Sequence, residues 1–131
     1  MNIKLSTAVL TSAIGLATNP TLDPDDPAYH WADHGFVVRT QDGDGYNAID
    51  PSVLHDSDGS LWLTFGSYWT GIKLTPLDPQ TGKRIALDSK MFSIAYNDSI
   101  EASYLCRHDN RDWLKRIGRL AVKTRQATEA A

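Results

Sequence analysis

The stretch SVLHDSDGSLWLTFGSYWTGIKLTPL, residues 52–77, carries the clearest fold signal in the chain. It contains three short segments, residues 52–55, 61–65 and 70–74, that are rich in β-branched and aromatic residues. Such segments are typical of strands. The sequence DSDG between the first two segments is a turn signal. The stretch therefore predicts a β-hairpin followed by a third strand.

Similar short segments lie on both sides of this stretch. They are separated by loops rich in Gly, Pro and Asp, such as DPDDP at residues 23–27. Several short strands separated by such turns predict an all-β fold of the sandwich, barrel or propeller type, and their spacing leaves the strand order open. The predicted strands outside the stretch are residues 12–18, 36–39, 91–95 and 100–105.

The first seventeen residues, MNIKLSTAVLTSAIGLA, are mildly apolar and contain one lysine. This composition fits a weak secretory leader, but Ser6, Thr7, Thr11 and Ser12 interrupt the apolar run. We therefore favour a strand through residues 12–18 and assign no compartment. The chain has no run of 18 apolar residues, so neither a membrane-spanning helix nor a membrane partner is predicted.

The composition argues against several kinds of site. The single cysteine, Cys106, rules out an internal disulfide framework and a cysteine-based zinc site. The four histidines show no metal-ligand spacing. Gly43 and Gly45 lie in an acidic loop that lacks the lysine of a phosphate-binding loop. We therefore expect no metal and no cofactor.

Charge divides the chain near Cys106. Residues 18–101 contain thirteen acidic and five basic residues, whereas residues 107–125 contain seven basic and two acidic ones. After Asp109, apolar residues recur at helical spacing and predict an α-helix with basic residues around its other face. Such a helix could pack on the rest of the domain, self-associate or contact an anionic surface. No module that reads nucleic-acid bases is recognisable in the sequence, so no nucleic-acid partner is expected. The predicted division is residues 1–106 and a basic helical tail of residues 107–131.

Two carboxylates stand out because apolar residues flank them. Asp50 precedes a predicted strand in the string NAIDP, and Glu101 lies in the strand segment SIEA. We expect both side chains to be partly buried, and therefore paired, hydrogen-bonded or shifted in pKa. Each one alone could simply cap a turn or a strand end. Together they suggest a pair that performs acid/base chemistry on a glycosidic bond.

Aromatic residues at a strand end supply a second indication. Tyr68 and Trp69 are adjacent, and Gly66 leaves room for a ligand to approach the backbone. Sugar rings have apolar faces that stack on such side chains, while Asn47 and Ser67 could bond sugar hydroxyls. Trp69 could alternatively belong to the core. The candidate substrate-binding residues are Asn47, Ser67, Tyr68 and Trp69.

At these residues the sequence resembles glycoside hydrolase family 43, and in particular its arabinanase and α-L-arabinofuranosidase branch. The resemblance runs through residues 12–105 and is not seen from Arg107 onward. The strings that carry it are SAIGLAT at residues 12–18, NAIDP at 47–51, FGSYWTGIKL at 65–74 and IEA at 100–102.

The resemblance implies a five-bladed β-propeller that hydrolyses α-1,5-arabinan or arabinofuranosyl side chains with inversion. It implies that Glu101 is the general acid and that Asp50 orients this acid and modulates its pKa. The family's general base, an aspartate, would lie upstream of Ser12, where no matching motif is found. The chain also departs from the family at Ser103, where proline is usual.

We therefore expect a partial β-propeller of about two blades with a C-terminal α-helix, acting on arabinose-containing glycans as a homo-oligomer. A neighbouring copy would then present a substitute base, for which Asp33, Asp42 and Asp44 are candidates. The alternative is a catalytically inactive fragment that binds sugar or only itself. The family resemblance also leaves open a β-xylosidase activity.

Overall fold

The computed structural model describes residues 11–86, 88–108 and 111–116 of the 131-residue chain. Within these ranges the regular secondary structure consists of β-strands, as predicted. The same ranges contain no helix that is long and apolar enough to cross a membrane. The strands are β1 (Ala13–Thr18), β2 (Ala32–Arg39), β3 (Ser52–His55), β4 (Leu61–Phe65), β5 (Ile72–Leu77), β6 (Phe92–Ala95), β7 (Ser103–His108) and β8 (Arg111–Arg116).

The central element is an antiparallel sheet of four strands in the order β3-β4-β5-β6. β3 and β4 pair without a register shift, so the predicted hairpin is confirmed. Asp56 closes its turn, because the backbone N–H of Gly59 donates to the Asp56 carbonyl oxygen at 3.1 Å. Leu63, Thr64 and Phe65 of the inner strand β4 are almost completely buried. This burial explains why β-branched and aromatic residues fill β4 without alternating polar positions.

A smaller sheet, formed by β1 and β2, covers one side of this core. The two strands pair antiparallel, with irregular register around Gly15. The strand predicted from Ser12 is therefore confirmed, with its bounds at Ala13 and Thr18. The ring of Phe65 meets the half-buried Tyr46 edge-on at a centroid distance of 5.8 Å. The buried apolar cluster consists of Ile14, Val38, Ala48, Leu63, Phe65 and Leu77.

Lys83 links the two sheets by hydrogen bonds rather than by an ion pair. It lies in the loop after β5, and its Nζ donates to three consecutive carbonyl oxygens of β2, those of residues 34–36. The distances to the Gly35 and Phe36 oxygens are 2.8 and 2.9 Å. A charged donor on neutral carbonyls gives stronger bonds than a neutral donor would. The β1–β2 hairpin is thereby fixed against the four-stranded sheet.

The prediction of a helix after Asp109 is wrong for the residues that the structure describes there. Arg111–Arg116 forms β8, which pairs antiparallel with β7 from Ser103↔Arg116 to His108↔Arg111. The ladder supplies partners for the backbone groups of β7, and this pairing overrides the weaker helical periodicity. Residues 117–131, the rest of the predicted helix, lie outside the described residues.

The arrangement matches the architecture expected for part of a β-propeller. One sheet has four antiparallel strands, the composition of a propeller blade, and it is flanked by two-stranded sheets. β7 packs beside β3 and β4 of the central sheet. The residues that precede β3 and β7 consequently lie close together.

Candidate active site

Residues 45–50 lead into β3 and are fixed by backbone hydrogen bonds. The N–H of Ala48 donates to Ser12 Oγ at 2.8 Å, and the N–H of Gly66 donates to the Ile49 carbonyl oxygen at 2.9 Å. Ala48 is fully buried. The backbone that carries Asp50 is thus held by both the first sheet and the end of β4.

Asp50 makes a contact between the segments that precede β3 and β7. Its Oδ2 accepts a hydrogen bond of 3.3 Å from the backbone N–H of Ala102, the residue after Glu101. Both Asp50 and Ala102 have left-handed backbone conformations, with φ values of 53° and 45°. Such conformations are uncommon outside glycine and cost on the order of 1–3 kcal/mol each. The surrounding fold maintains this strain at the point where the two carboxylate-bearing segments meet.

Glu101 lies beside Tyr68. The phenol O–H of Tyr68 donates a hydrogen bond to the Glu101 carboxylate. This bond, and next the negative charge of Glu101, raise the pKa of Tyr68 above its usual value, because both favour the protonated phenol. Glu101 is exposed rather than partly buried, which corrects the prediction from its apolar neighbours. The reason is that the turn at Ala102 keeps Glu101 out of β7, which begins only at Ser103.

Tyr68 and Trp69 occupy a tight turn between β4 and β5. Both have positive φ, 48° and 41°, which is unusual for bulky side chains. The turn is closed by a 2.7 Å hydrogen bond from the Gly71 N–H to the Tyr68 carbonyl oxygen. The N–H of Tyr68 donates to the Ile100 carbonyl oxygen at 2.8 Å, so the same residue binds the backbone that precedes Glu101.

Polar contacts underneath support this aromatic turn. Asn47 Nδ2 donates to the Ser67 carbonyl oxygen at 3.1 Å. The buried Lys73 donates from Nζ to the Thr70 carbonyl oxygen at 3.1 Å and to Ser93 Oγ at 2.7 Å. Burial lowers the pKa of Lys73, because desolvation disfavours the charged ammonium. These bonds fix the turn from the side opposite to solvent.

The structure thus brings the residues proposed from the sequence into one region. Asp50 contacts the residue next to Glu101, Tyr68 contacts Glu101 itself, and Asn47 contacts Ser67. Trp69 is 49% exposed, so the alternative that it belongs to the core is wrong. Ser67 is buried and Asn47 is half-buried.

Two other carboxylates considered from the sequence make short-range hydrogen bonds to the backbone, Asp33 within β2 and Asp44 in the turn after it. Asp33 Oδ1 accepts from the Gly35 N–H at 2.7 Å, and Asp44 Oδ2 accepts from the Gln41 N–H at 2.7 Å. Local side-chain bonds of Asp to a backbone N–H close by in sequence are common. In the described ranges, no group of three or more His, Cys, Asp or Glu residues is arranged to hold a metal ion.

Sequence reasoning missed two participants at this site. The first is the Ala102 N–H, a backbone donor that no side-chain pattern reveals. The second is Ser103, which lines a surface depression together with Asp50. The only sequence signal for Ser103 was the departure from proline at that position.

The contact between Tyr68 and Glu101 predicts that the pKa of the Tyr68 phenol depends on the charge of residue 101. In Glu101→Gln we expect the pKa of Tyr68 to fall towards the ordinary value of about 10, since the acceptor loses its charge. Ultraviolet difference titration measures tyrosinate formation, and a Tyr68→Phe variant identifies the contribution of this phenol. The pKa of Tyr96, which a hydrogen bond to Asp98 raises, should not change and serves as an internal control. Superimposable curves for wild type and Glu101→Gln would contradict the contact.

Comparison with known proteins shows which family this chain belongs to. The family model for glycosyl hydrolases family 43 matches residues 6–116. The chain belongs to glycosyl hydrolase family 43. The match includes residues 107–116, so the expectation of no family resemblance from Arg107 onward does not hold for this part of the chain.

Curated relatives of this chain include two bacterial proteins. The chain is 49% identical over 73 residues to an extracellular endo-α-(1→5)-L-arabinanase of Bacillus subtilis. The matched segment covers 56% of this chain and 21% of the relative. It is 38% identical over 112 residues to an extracellular exo-α-(1→5)-L-arabinofuranosidase of Cellvibrio japonicus, covering 74% of this chain and 32% of the relative. The chain therefore spans about a third or less of the length of these relatives.

Two solved arabinanase structures have the same fold over most of this chain. An exo-1,5-α-L-arabinanase from a bovine ruminal metagenomic library superimposes with a TM-score of 0.71 at 40% identity, over 78% of this chain and 35% of that protein. A Cellvibrio cellulosa α-L-arabinanase complexed with arabinohexaose gives 0.69 at 34% identity, over 78% and 36%. The fold is thus an all-β partial propeller, as the family resemblance implied.

Proposed function

We propose that this chain acts as a family 43 glycoside hydrolase that, as a homo-oligomer, cleaves arabinose-containing glycans, arabinan or arabinofuranosyl side chains, with inversion. The observation that carries the proposal is the hydrogen bond from the Ala102 N–H to Asp50, which joins the two carboxylate-bearing segments directly beside Glu101. The similar proteins support this substrate class, since one of the solved arabinanases is complexed with arabinohexaose.

In this proposal Glu101 is the general acid. It is solvent-exposed, so a glycosidic oxygen can reach its carboxyl group. Protonation of that oxygen removes the need to expel an alkoxide when the bond between carbon and oxygen breaks. The Tyr68 hydroxyl, which donates to Glu101, limits the orientations of the carboxyl group. Glu101 is thereby held ready to deliver its proton in one direction.

Asp50 acts in the proposal as a positioning residue and as the modulator of the acid. Its carboxylate fixes the N–H of Ala102, and this holds the backbone that carries Glu101 in a strained conformation. Asp50 would thereby keep the carboxyl group of Glu101 in a fixed orientation towards the substrate. The role of Asp50 as modulator of the acid is carried over from the family resemblance.

The aromatic turn provides the sugar-binding surface of the proposed site. Tyr68 is 44% and Trp69 is 49% exposed, and their backbone is held by several hydrogen bonds. Aromatic rings at fixed positions can stack on the apolar face of a sugar ring with little loss of conformational entropy. We assign Asn47 and Ser67 to the same subsite, where the bond between them supports the turn.

Inversion requires a base about 6.5–9.5 Å from the acid, with a water molecule between them. We propose that a second copy of the chain supplies this carboxylate. Unpaired edge strands and exposed apolar side chains favour such association. Phe36 and Ile85 are 61% and 66% exposed, and β6 ends the central sheet without a further strand beside it in the described ranges.

The test is the release of arabinose from linear arabinan at several protein concentrations, with the oligomeric state followed by sedimentation velocity. We expect the activity per mole of chain to rise with concentration as the oligomer forms. Calorimetry with arabino-oligosaccharides serves as the companion measurement. Binding without turnover at every concentration would contradict the proposed hydrolysis and support the inactive sugar-binding alternative.

A further inference from the structure

Ser103 has a buried hydroxyl group without a hydrogen-bond partner. The residue is 8% exposed, and within the described part of the chain its Oγ makes no hydrogen bond. Asn19 Nδ2 and Arg84 Nε are in the same situation, but only Ser103 of the three lines the depression that contains Asp50. Buried polar groups are almost always paired, so an orphaned hydroxyl beside a candidate site calls for a functional explanation.

The depression has a size and a lining that suit one sugar unit. It measures about 400 Å³ and lies between β3 and β7, next to the segment of Glu101. Val53 and Tyr104 contribute apolar surface and are 55% and 50% exposed. Asp50 is the charged residue of the lining, so a neutral ligand is favoured over an anionic one. Apolar walls with a few polar groups are typical of sites for small neutral ligands.

Two other polar side chains of the lining, those of Asp50 and Ser52, already accept hydrogen bonds. Asp50 Oδ2 accepts from the Ala102 N–H, and Ser52 Oγ accepts from the Leu105 N–H at 3.2 Å. The Ser103 hydroxyl remains uncommitted. One rotation about its Cα–Cβ bond moves Oγ from one staggered position to another, which can turn the hydroxyl towards the depression.

We propose that Ser103 is a specificity-determining residue whose hydroxyl pairs with a hydroxyl of a neutral pentose unit bound in the depression beside Asp50. This inference rests on the proposed function for its substrate class. In the free protein the unpaired hydroxyl lowers stability, and sugar binding removes this penalty by supplying the missing partner. The same group therefore has opposite effects on the free protein and on the complex.

The test uses Ser103→Ala, with Ser52→Ala as a matched control on the same depression. We expect Ser103→Ala to raise the melting temperature of the sugar-free protein by about 2–6 °C, because an unpaired hydroxyl is removed. We expect the Kd for an arabino-oligosaccharide, measured by calorimetry, to increase about 3- to 10-fold. Ser52→Ala should instead lower the melting temperature, since it leaves the Leu105 N–H without its acceptor.

The outcomes separate this inference from the proposed function. If wild type binds the arabino-oligosaccharide and Ser103→Ala binds it equally well, the role of Ser103 is refuted while the proposed function stands. If wild type does not bind it, both are refuted. A galacturono-oligosaccharide, which is anionic, should bind more weakly than the neutral ligand; tighter binding would contradict the inferred charge selectivity of the depression.

Discussion

Glu101→Gln should reduce the hydrolysis of linear arabinan by about 10²–10⁴-fold, the usual contribution of a general acid. Glutamine has nearly the same shape as glutamate and can still accept a hydrogen bond from Tyr68, so the fold and the aromatic turn should be preserved. It has no carboxyl proton to deliver. The alkoxide leaving group of an arabinan chain is poor, so the loss of proton donation should appear almost entirely in kcat.

A matched control separates this effect from a general loss of negative charge. Asp98 lies three residues before Glu101, is exposed and accepts a 3.0 Å hydrogen bond from the Tyr96 hydroxyl. Asp98→Asn removes the same charge from the same surface, and we expect it to leave kcat within about 2-fold of wild type, since surface charges are screened. Equal rates for Glu101→Gln and wild type on arabinan would exclude Glu101 as the acid.

Gly71→Ala should destabilise the fold by more than about 3 kcal/mol, because backbone strain and a steric clash add. Gly71 has φ 77°, and a Cβ atom there would lie 2.1 Å from the Ala95 carbonyl oxygen and 3.0 Å from the Tyr96 Cα. The neighbouring atoms belong to the backbone, so no side-chain rotation can relieve the contact. Since single domains are stable by about 5–15 kcal/mol, this loss would remove a large fraction of the total stability.

Gly43→Ala provides the control for the strain alone. Gly43 has φ 91°, but nothing lies within 4 Å of a Cβ atom placed on it. Its substitution should cost only about 1–2 kcal/mol, the penalty of a left-handed conformation. Urea unfolding measures both variants. Equal shifts of the two midpoints would show that the close approach of Gly71 to Ala95 does not exist in solution.

The local elements were predictable because their signals are local. β3 and β4 begin and end where the sequence predicts, since the DSDG turn separates two segments of strong β propensity. β5 extends three residues beyond its predicted end at Leu74, through Pro76 to Leu77. β6 pairs with β5 only at Ile72–Leu74, so the missing N–H of Pro76 breaks no bond to β6.

Long-range pairing explains where the prediction failed. The periodicity after Asp109 is helical, but β7 offers a ladder of backbone partners, and β8 takes them. The bond between Asp50 and Ala102 joins residues 52 positions apart, and its donor is a backbone group. No pattern of side chains indicates such a contact. The family resemblance identified Asp50 and Glu101, whereas only the structure reveals how one holds the other.

The most direct test of Glu101 as the general acid compares the rates of wild type and Glu101→Gln on two substrates. The leaving oxygen of linear arabinan must be protonated by an acid. In a nitrophenyl arabinofuranoside the leaving group is nitrophenolate, a stable anion, so its departure needs little help from an acid. We expect Glu101→Gln to lose about 10²–10⁴-fold on arabinan and about 10-fold or less on the aryl substrate. Equal losses on both substrates would contradict the role of Glu101 as the proton donor.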